Sequence, residues 1–139
     1  MDEKEKIALK IRSMKKYVDF LRKYKSISRK RLEDDYELKS AIERNFQLAI
    51  EAALDVGEII ISAKNFEKPE DYRSVILTLG RHNVIPPDFA ERFARAAGFR
   101  NILVHMYDEV DIDKLYEYLQ DNLPDFDEYA RHIARYLEG

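Results

Sequence analysis

Only one stretch of this chain places polar reactive groups at close, regular spacing inside an otherwise apolar run: Gly98-Phe99-Arg100-Asn101-Ile102-Leu103-Val104-His105-Met106-Tyr107. It reads as arginine, four residues, histidine, one residue, tyrosine. Histidine is the side chain best suited to moving protons near neutral pH, and the arginine fork binds phosphate oxygens more strongly as charge builds on them. Together they suit phosphodiester cleavage. With a ribose 2′-hydroxyl as internal nucleophile no metal ion is required: histidine takes the hydroxyl proton, arginine stabilises the pentavalent phosphorane, and histidine or water protonates the leaving oxygen. That chemistry selects RNA and excludes DNA. On a helix, Asn101 and His105 lie within about 40° of each other one turn apart, so Asn101 can orient the imidazole. Arg100 and His105 are about 140° apart on a straight helix. The long arginine side chain, a distortion near Gly98, or the histidine of a second subunit across a two-fold axis can each close that gap. The bare spacing also fits a core histidine beside an arginine in a surface ion pair.

The remaining candidates have simpler readings. His82 and His132 have no second functional group at helical spacing in a recognisable pattern and read as turn and surface residues. Asp111-Ile112-Asp113 reads as a helix start, not a metal-binding carboxylate pair. Tyr116, Tyr118, Tyr129 and Tyr136 fall on amphipathic stretches as core or interface residues. The chain has no cysteine, so disulfides, thiolate nucleophiles and thiolate metal sites are excluded, and a reducing compartment is the natural setting. No metal or cofactor is expected.

Periodicity predicts the elements that carry these residues. Ile7, Ile11, Met14, Val18 and Leu21 form one stripe of a helix over 3–25. A polar connection, Ser26 to Arg31, leads to a long helix capped by Asp34 or Asp35, with Leu38, Ile42, Phe46, Ala49, Ile50, Ala53, Leu54, Ile60 and Ile61. Its apolar girth predicts the spine of the bundle. Pro69 opens a third helix, with Glu70 and Asp71 in its first turn and an end near Gly80–Asn83. Pro86-Pro87 opens a fourth, carrying Phe89, Phe93, Ala96, Ala97, Ile102 and Leu103, with Gly98 marking a kink or a tight crossing. Asp111 caps a fifth around Leu115, Tyr118 and Leu119, and Pro124 begins the last, about 125–137. An all-α antiparallel bundle of five or six helices follows, one domain over 1–139.

The net charge of −3 hides an asymmetry: residues 1–31 hold twelve Lys/Arg against four Asp/Glu, leaving twelve against twenty-three in residues 32–139. The first helix is a candidate RNA-docking surface through Lys15, Lys16, Arg22 and Lys23, although charged faces are more often simply solvated. The charged N-terminus has no apolar core of a signal peptide, and no stretch approaches the roughly 18 apolar residues of a membrane span. A cytoplasmic protein without membrane contact is expected.

The segment RNILVHMYDEVD, near the end of a bundle of this size, closely resembles the Arg-X4-His-X-Tyr motif of HepT-like members of the HEPN superfamily. The upstream segment ERNFQLAIEAALDVGEIII looks like that family's long second helix, so the resemblance extends over most of the chain. It implies a homodimer with a groove where two motif copies meet, and a toxin that cleaves RNA. It also implies a small nucleotidyltransferase antitoxin that attaches AMP to Tyr107. Added phosphate beside Arg100 would occupy the guanidinium that the RNA phosphate needs. The site expected is therefore Arg100 and His105 as catalytic groups, Asn101 in support and Tyr107 as modification site. A different class of function, a non-catalytic helical subunit binding a nucleotidyltransferase or its nucleotide, also uses these residues.

Overall fold

The computed structural model describes residues 1–105 and 111–139, and all regular structure among them is helical. In chain order these are α1 (Glu3–Arg22), α2 (Arg29–Asp34), α3 (Tyr36–Ala63), α4 (Tyr72–Arg81), α5 (Pro87–His105), α6 (Ile112–Asp121) and α7 (Leu123–Glu138). Short polar side chains close the exposed N-terminal N–H groups: Asp2 accepts from Glu5 N–H, Asp35 from Leu38, Asp71 from Ser74 and Asp111 from Asp113. The six expected segments are all present. The seventh helix, α2, lies in what reads as a polar connection: Ser28 caps it through Arg31 N–H at 3.0 Å, and fully buried Leu32 anchors it. Six residues hold too few turns for a periodic signal.

Two readings, one of a helix start and one of a glycine, are corrected. The fourth helix begins at Tyr72, because Asp71 acts as its N-cap and leaves Pro69 and Glu70 outside. Gly98 marks no crowded crossing: α5 runs continuously through it, and a Cβ there would meet only Arg73 Cδ, at 3.9 Å. The tight contacts lie elsewhere. A Cβ on Gly80 would stand 2.5 Å from the Ala90 Cβ, which is how closely α4 and α5 approach.

α3 is the spine. Ile42, Phe46, Ala49, Ile50, Ala53, Val56 and Ile60 are buried along it, and α1, α2, α4 and α5 pack around it. Each large apolar side chain so enclosed contributes about 1.5–3 kcal/mol relative to exposure. α7 adds Tyr129, fully buried, whose hydroxyl donates to the Ala53 carbonyl at 2.8 Å. The basic α1 is tied to the acidic body through Lys10–Asp55 at 2.9 Å and Arg22–Asp127 at 2.7 Å. Lys15, Lys16 and Lys23 are exposed and carry no ion pair among the described residues. No helix among the described residues is long and apolar enough to cross a membrane.

Gly80 and Gly98 should respond oppositely to alanine. Gly80→Ala forces Ala90 and the α4–α5 contact apart and should cost about 1–3 kcal/mol of unfolding free energy. Gly98→Ala makes only an ordinary contact with Arg73 Cδ and should add about 0.5–1 kcal/mol. Urea denaturation of both variants checks this, and a Gly80→Ala protein as stable as the parent would show that the contact relaxes freely.

Candidate active site

The last two turns of α5 bury one face and present the other. Phe99 and Leu103 point into the core, where Phe99 stacks on Tyr118 (centroids 4.2 Å apart, planes 5°) and meets Phe46 edge-on at 5.8 Å. The Tyr118 hydroxyl donates to the Arg95 carbonyl at 3.2 Å. With that face locked, Arg100, Asn101 and His105 fall on the other side.

Arg100 is held from three directions. Its Nε and Nη2 both donate to Glu51 Oε2 on α3, at 3.0 and 2.7 Å. Its Nη1 reaches Asn101 Oδ1 at 3.4 Å, and its Cζ lies 4.7 Å from the centre of the Tyr72 ring at the start of α4. The guanidinium side chain is only 15% exposed and Glu51 31%, so the pair is partly desolvated and far better defined than a surface salt bridge. Glu51 thus takes one edge of the guanidinium, and the Nη1 edge is left to a weak contact.

Beside this cluster, the end of α3, the 64–71 connection and the start of α4 enclose an open groove of about 940 Å³. Asn101 and His105 line one wall of it, Glu58, Ile61 and Tyr72 others. His105 is exposed. The connection is pinned by Glu67, which contacts His82 Nε2 at 2.7 Å and accepts from Arg81 Nε at 3.1 Å. Hydrogen bonding from His82 first, with its backbone and Arg81 adding to it, draws the Glu67 carboxyl down to about 2. Phe66 stacks on the His82 ring at 3.8 Å. Glu58 is shifted the other way: burial, then the nearby Asp55 charge, raises its carboxyl above the usual range.

The structure therefore brings Asn101 and His105 to one groove and places Arg100 at its shoulder, sharing Tyr72 with it. No hydrogen bond joins Asn101 to His105; the amide oxygen faces Arg100 instead. Arg100 turns toward α3, and α5 is not broken between the two residues, so within one chain neither side-chain reach nor a helix break joins Arg100 to His105. Tyr107 lies outside the described residues. His82 serves the connection, and His132, half-buried, pairs with Glu128 at 3.0 Å. Sequence reasoning missed Glu51, Glu58 and Tyr72. The available signal was two glutamates seven residues apart, on one face of the most apolar helix.

A family model described as "Ribonuclease HepT-like" matches residues 14–133. The chain is 30% identical over 122 residues to a tRNA nuclease HepT from Aphanizomenon flos-aquae, covering 88% of this chain and 83% of that protein. It is 27% identical over 95 residues to an mRNA nuclease HepT from Shewanella oneidensis, covering 68% and 71%. In fold it is similar to a tri-AMPylated Shewanella oneidensis HEPN toxin solved in complex with its MNT antitoxin. The TM-score is 0.86 at 24% identity, over 97% of this chain and 99% of that one. A toxin–antitoxin structure with AMP-PNP gives 0.87 at 24%, over 94% and 98%.

The ion pair on the page can be measured directly. Glu51→Ala leaves a partly buried guanidinium uncompensated and should lower the unfolding free energy by roughly 1–2 kcal/mol, less than a fully buried pair would lose. A double-mutant cycle with Arg100→Ala should return a coupling of about 0.5–2 kcal/mol; strict additivity would mean that the contact contributes nothing.

Proposed function

The chain belongs to the HepT-like ribonucleases, and from that premise we propose that it is the toxin of a toxin–antitoxin pair that cleaves RNA by metal-independent transesterification. The observation that carries this is the guanidinium of Arg100, immobilised by Glu51 and Tyr72 beside a groove into which His105 is exposed. A fixed cation next to a proton-transfer group is what in-line attack of a 2′-hydroxyl on the adjacent phosphorus needs. His105 removes the 2′-hydroxyl proton as the 2′-oxygen bonds to phosphorus. Arg100 neutralises the phosphorane through its Nη1 edge. The 5′-oxygen then leaves and takes a proton from an imidazolium or water, giving a cyclic 2′,3′-phosphate and a free 5′-hydroxyl.

Arg100 and His105 do not meet within one chain, which supports a homodimer in which each subunit's histidine faces its partner's arginine across a two-fold axis. Residues 1–139 act as one domain, in the cytoplasm. The regulatory partner is a small nucleotidyltransferase that transfers AMP to Tyr107, two residues beyond His105. The resulting phosphodiester competes with the substrate phosphate for Arg100. The pairing of similar folds with an MNT antitoxin, and the AMPylated state of one of them, support this arrangement.

Purified protein incubated with labelled RNA in EDTA should cut it and leave cyclic 2′,3′-phosphate ends, whereas His105→Ala should be slower by about 10²–10⁴-fold. If neither protein cuts a broad panel of RNAs, the chain is instead a binding subunit for the nucleotidyltransferase. With that partner and ATP, the wild type should gain adenylyl groups detectable by mass spectrometry and lose its RNA cleavage, while Tyr107→Phe should gain none and stay active. Unaltered adenylylation of Tyr107→Phe would move the modification to another residue.

A further inference from the structure

Resting on the ribonuclease reading, we propose that the groove beside His105 is a base-binding subsite selective for guanine, with Glu58 as the residue that reads the base. The groove has the wrong charge for a phosphate. Among the described residues Glu58, Glu70 and Asp71 line it against the single cation Lys68, so a phosphodiester lying inside would be repelled. It suits a nucleobase: Ile61 and Val75 supply apolar surface, and the rings of Phe66 and Tyr72 offer π-faces or edges to stack on. Its volume of about 940 Å³ is ample for one nucleotide.

Within this groove Glu58 is the carboxylate that stands on α3, one turn before Ile61 and exposed to the groove. It makes no hydrogen bond or ion pair among the described residues, whereas Asp55, one turn earlier, is neutralised by Lys10 at 2.9 Å. Burial raises its carboxyl from the ordinary range, which also makes the carboxylate a stronger acceptor. A carboxylate has two acceptor oxygens side by side, and among the four bases only guanine presents two adjacent donors, N1–H and N2–H. Adenine and cytosine set a single amino group beside a ring acceptor that would face the second oxygen, and uracil flanks its one N–H with carbonyls. Tyr72 joins the two halves of the site, since its ring lines the groove and also carries the Arg100 guanidinium at 4.7 Å. A guanine seated on Glu58 therefore lies in the groove that His105 lines, where the proposed homodimer sets the partner subunit's arginine against that histidine.

The test has a binding arm and a cleavage arm, both using the full chain. In the first, guanosine, inosine and adenosine monophosphates are titrated against the 15N-labelled protein. Guanosine monophosphate should shift the amides around Glu58, Ile61 and Tyr72, and should bind roughly ten- to hundredfold more tightly than inosine monophosphate, which lacks only the N2 amino group. Glu58→Gln should erase that difference. In the second, single-stranded oligonucleotides carrying one guanine should be cut beside it, and more slowly by a similar factor when inosine replaces it. The inosine comparison keeps the wild-type protein, so it stands even if Glu58→Gln misfolds. Guanine-selective binding without RNA cleavage would overturn the ribonuclease reading and leave the subsite intact. Cleavage indifferent to the base, with nucleotides bound alike or outside the groove, would overturn the subsite and leave the ribonuclease. No amide shift around Glu58, Ile61 and Tyr72 with any of the three nucleotides would equally overturn it.

Discussion

α3 has to be covered on most of its circumference. Its buried positions, from Ile42 to Ile61, occupy more than one stripe, so α1, α2, α4 and α5 must all lie against it. A charged residue in such a helix is tolerated only at the margins of the cover or with a partner brought to it. Glu51 is in the second situation. Its carboxylate is matched by Arg100 at 2.7 Å, and meeting that demand sets where the end of α5 comes to rest. The reactive groups are thus positioned by a desolvation requirement of the spine as much as by the packing of α5 itself.

In the reaction proposed for this chain, the same interaction shapes the chemistry. An unrestrained arginine loses side-chain freedom on binding a phosphate, whereas Arg100 has already lost it to Glu51, Asn101 and Tyr72. The carboxylate also lowers the net positive charge that faces a ligand. Glu51 thus exchanges some raw attraction for a fixed guanidinium plane, a trade that favours transition-state stabilisation over ground-state binding. On the other side of the groove, Glu67 plays an equivalent part for the backbone: by holding Arg81 and His82 it keeps the 64–71 connection standing as a wall.

Helix identity and core membership were legible along the chain because both are periodic. Apolar residues three and four apart are a local signal that six of the seven helices carry, and in α1, α3, α4 and α6 an Asp cap stands before the first turn. α2 escaped because its stability comes from one cap and one buried leucine contributed to a distant surface. Gly98 misled because a glycine inside a helix signals close approach only when something is there to approach. Which glycines are crowded, Gly57 and Gly80 but not Gly98, depends on where other helices pass.

For the site, residue types and their spacing along one helix were enough to single out Arg100, Asn101 and His105, and to place Asn101 and His105 on a common face. The chain by itself determined those identities and that helical register, since both follow from geometry within a single element. Tertiary structure alone decided that Arg100 faces Glu51 and Tyr72 and does not reach His105 within its own chain. It alone decided that Asn101 turns to the arginine, and that Glu58 stands in the groove without a partner among the described residues. Those partners lie on α3 and α4, and which side chain meets which across helices is set by packing angles and the need to satisfy buried charge, neither of which leaves a periodic mark in the sequence.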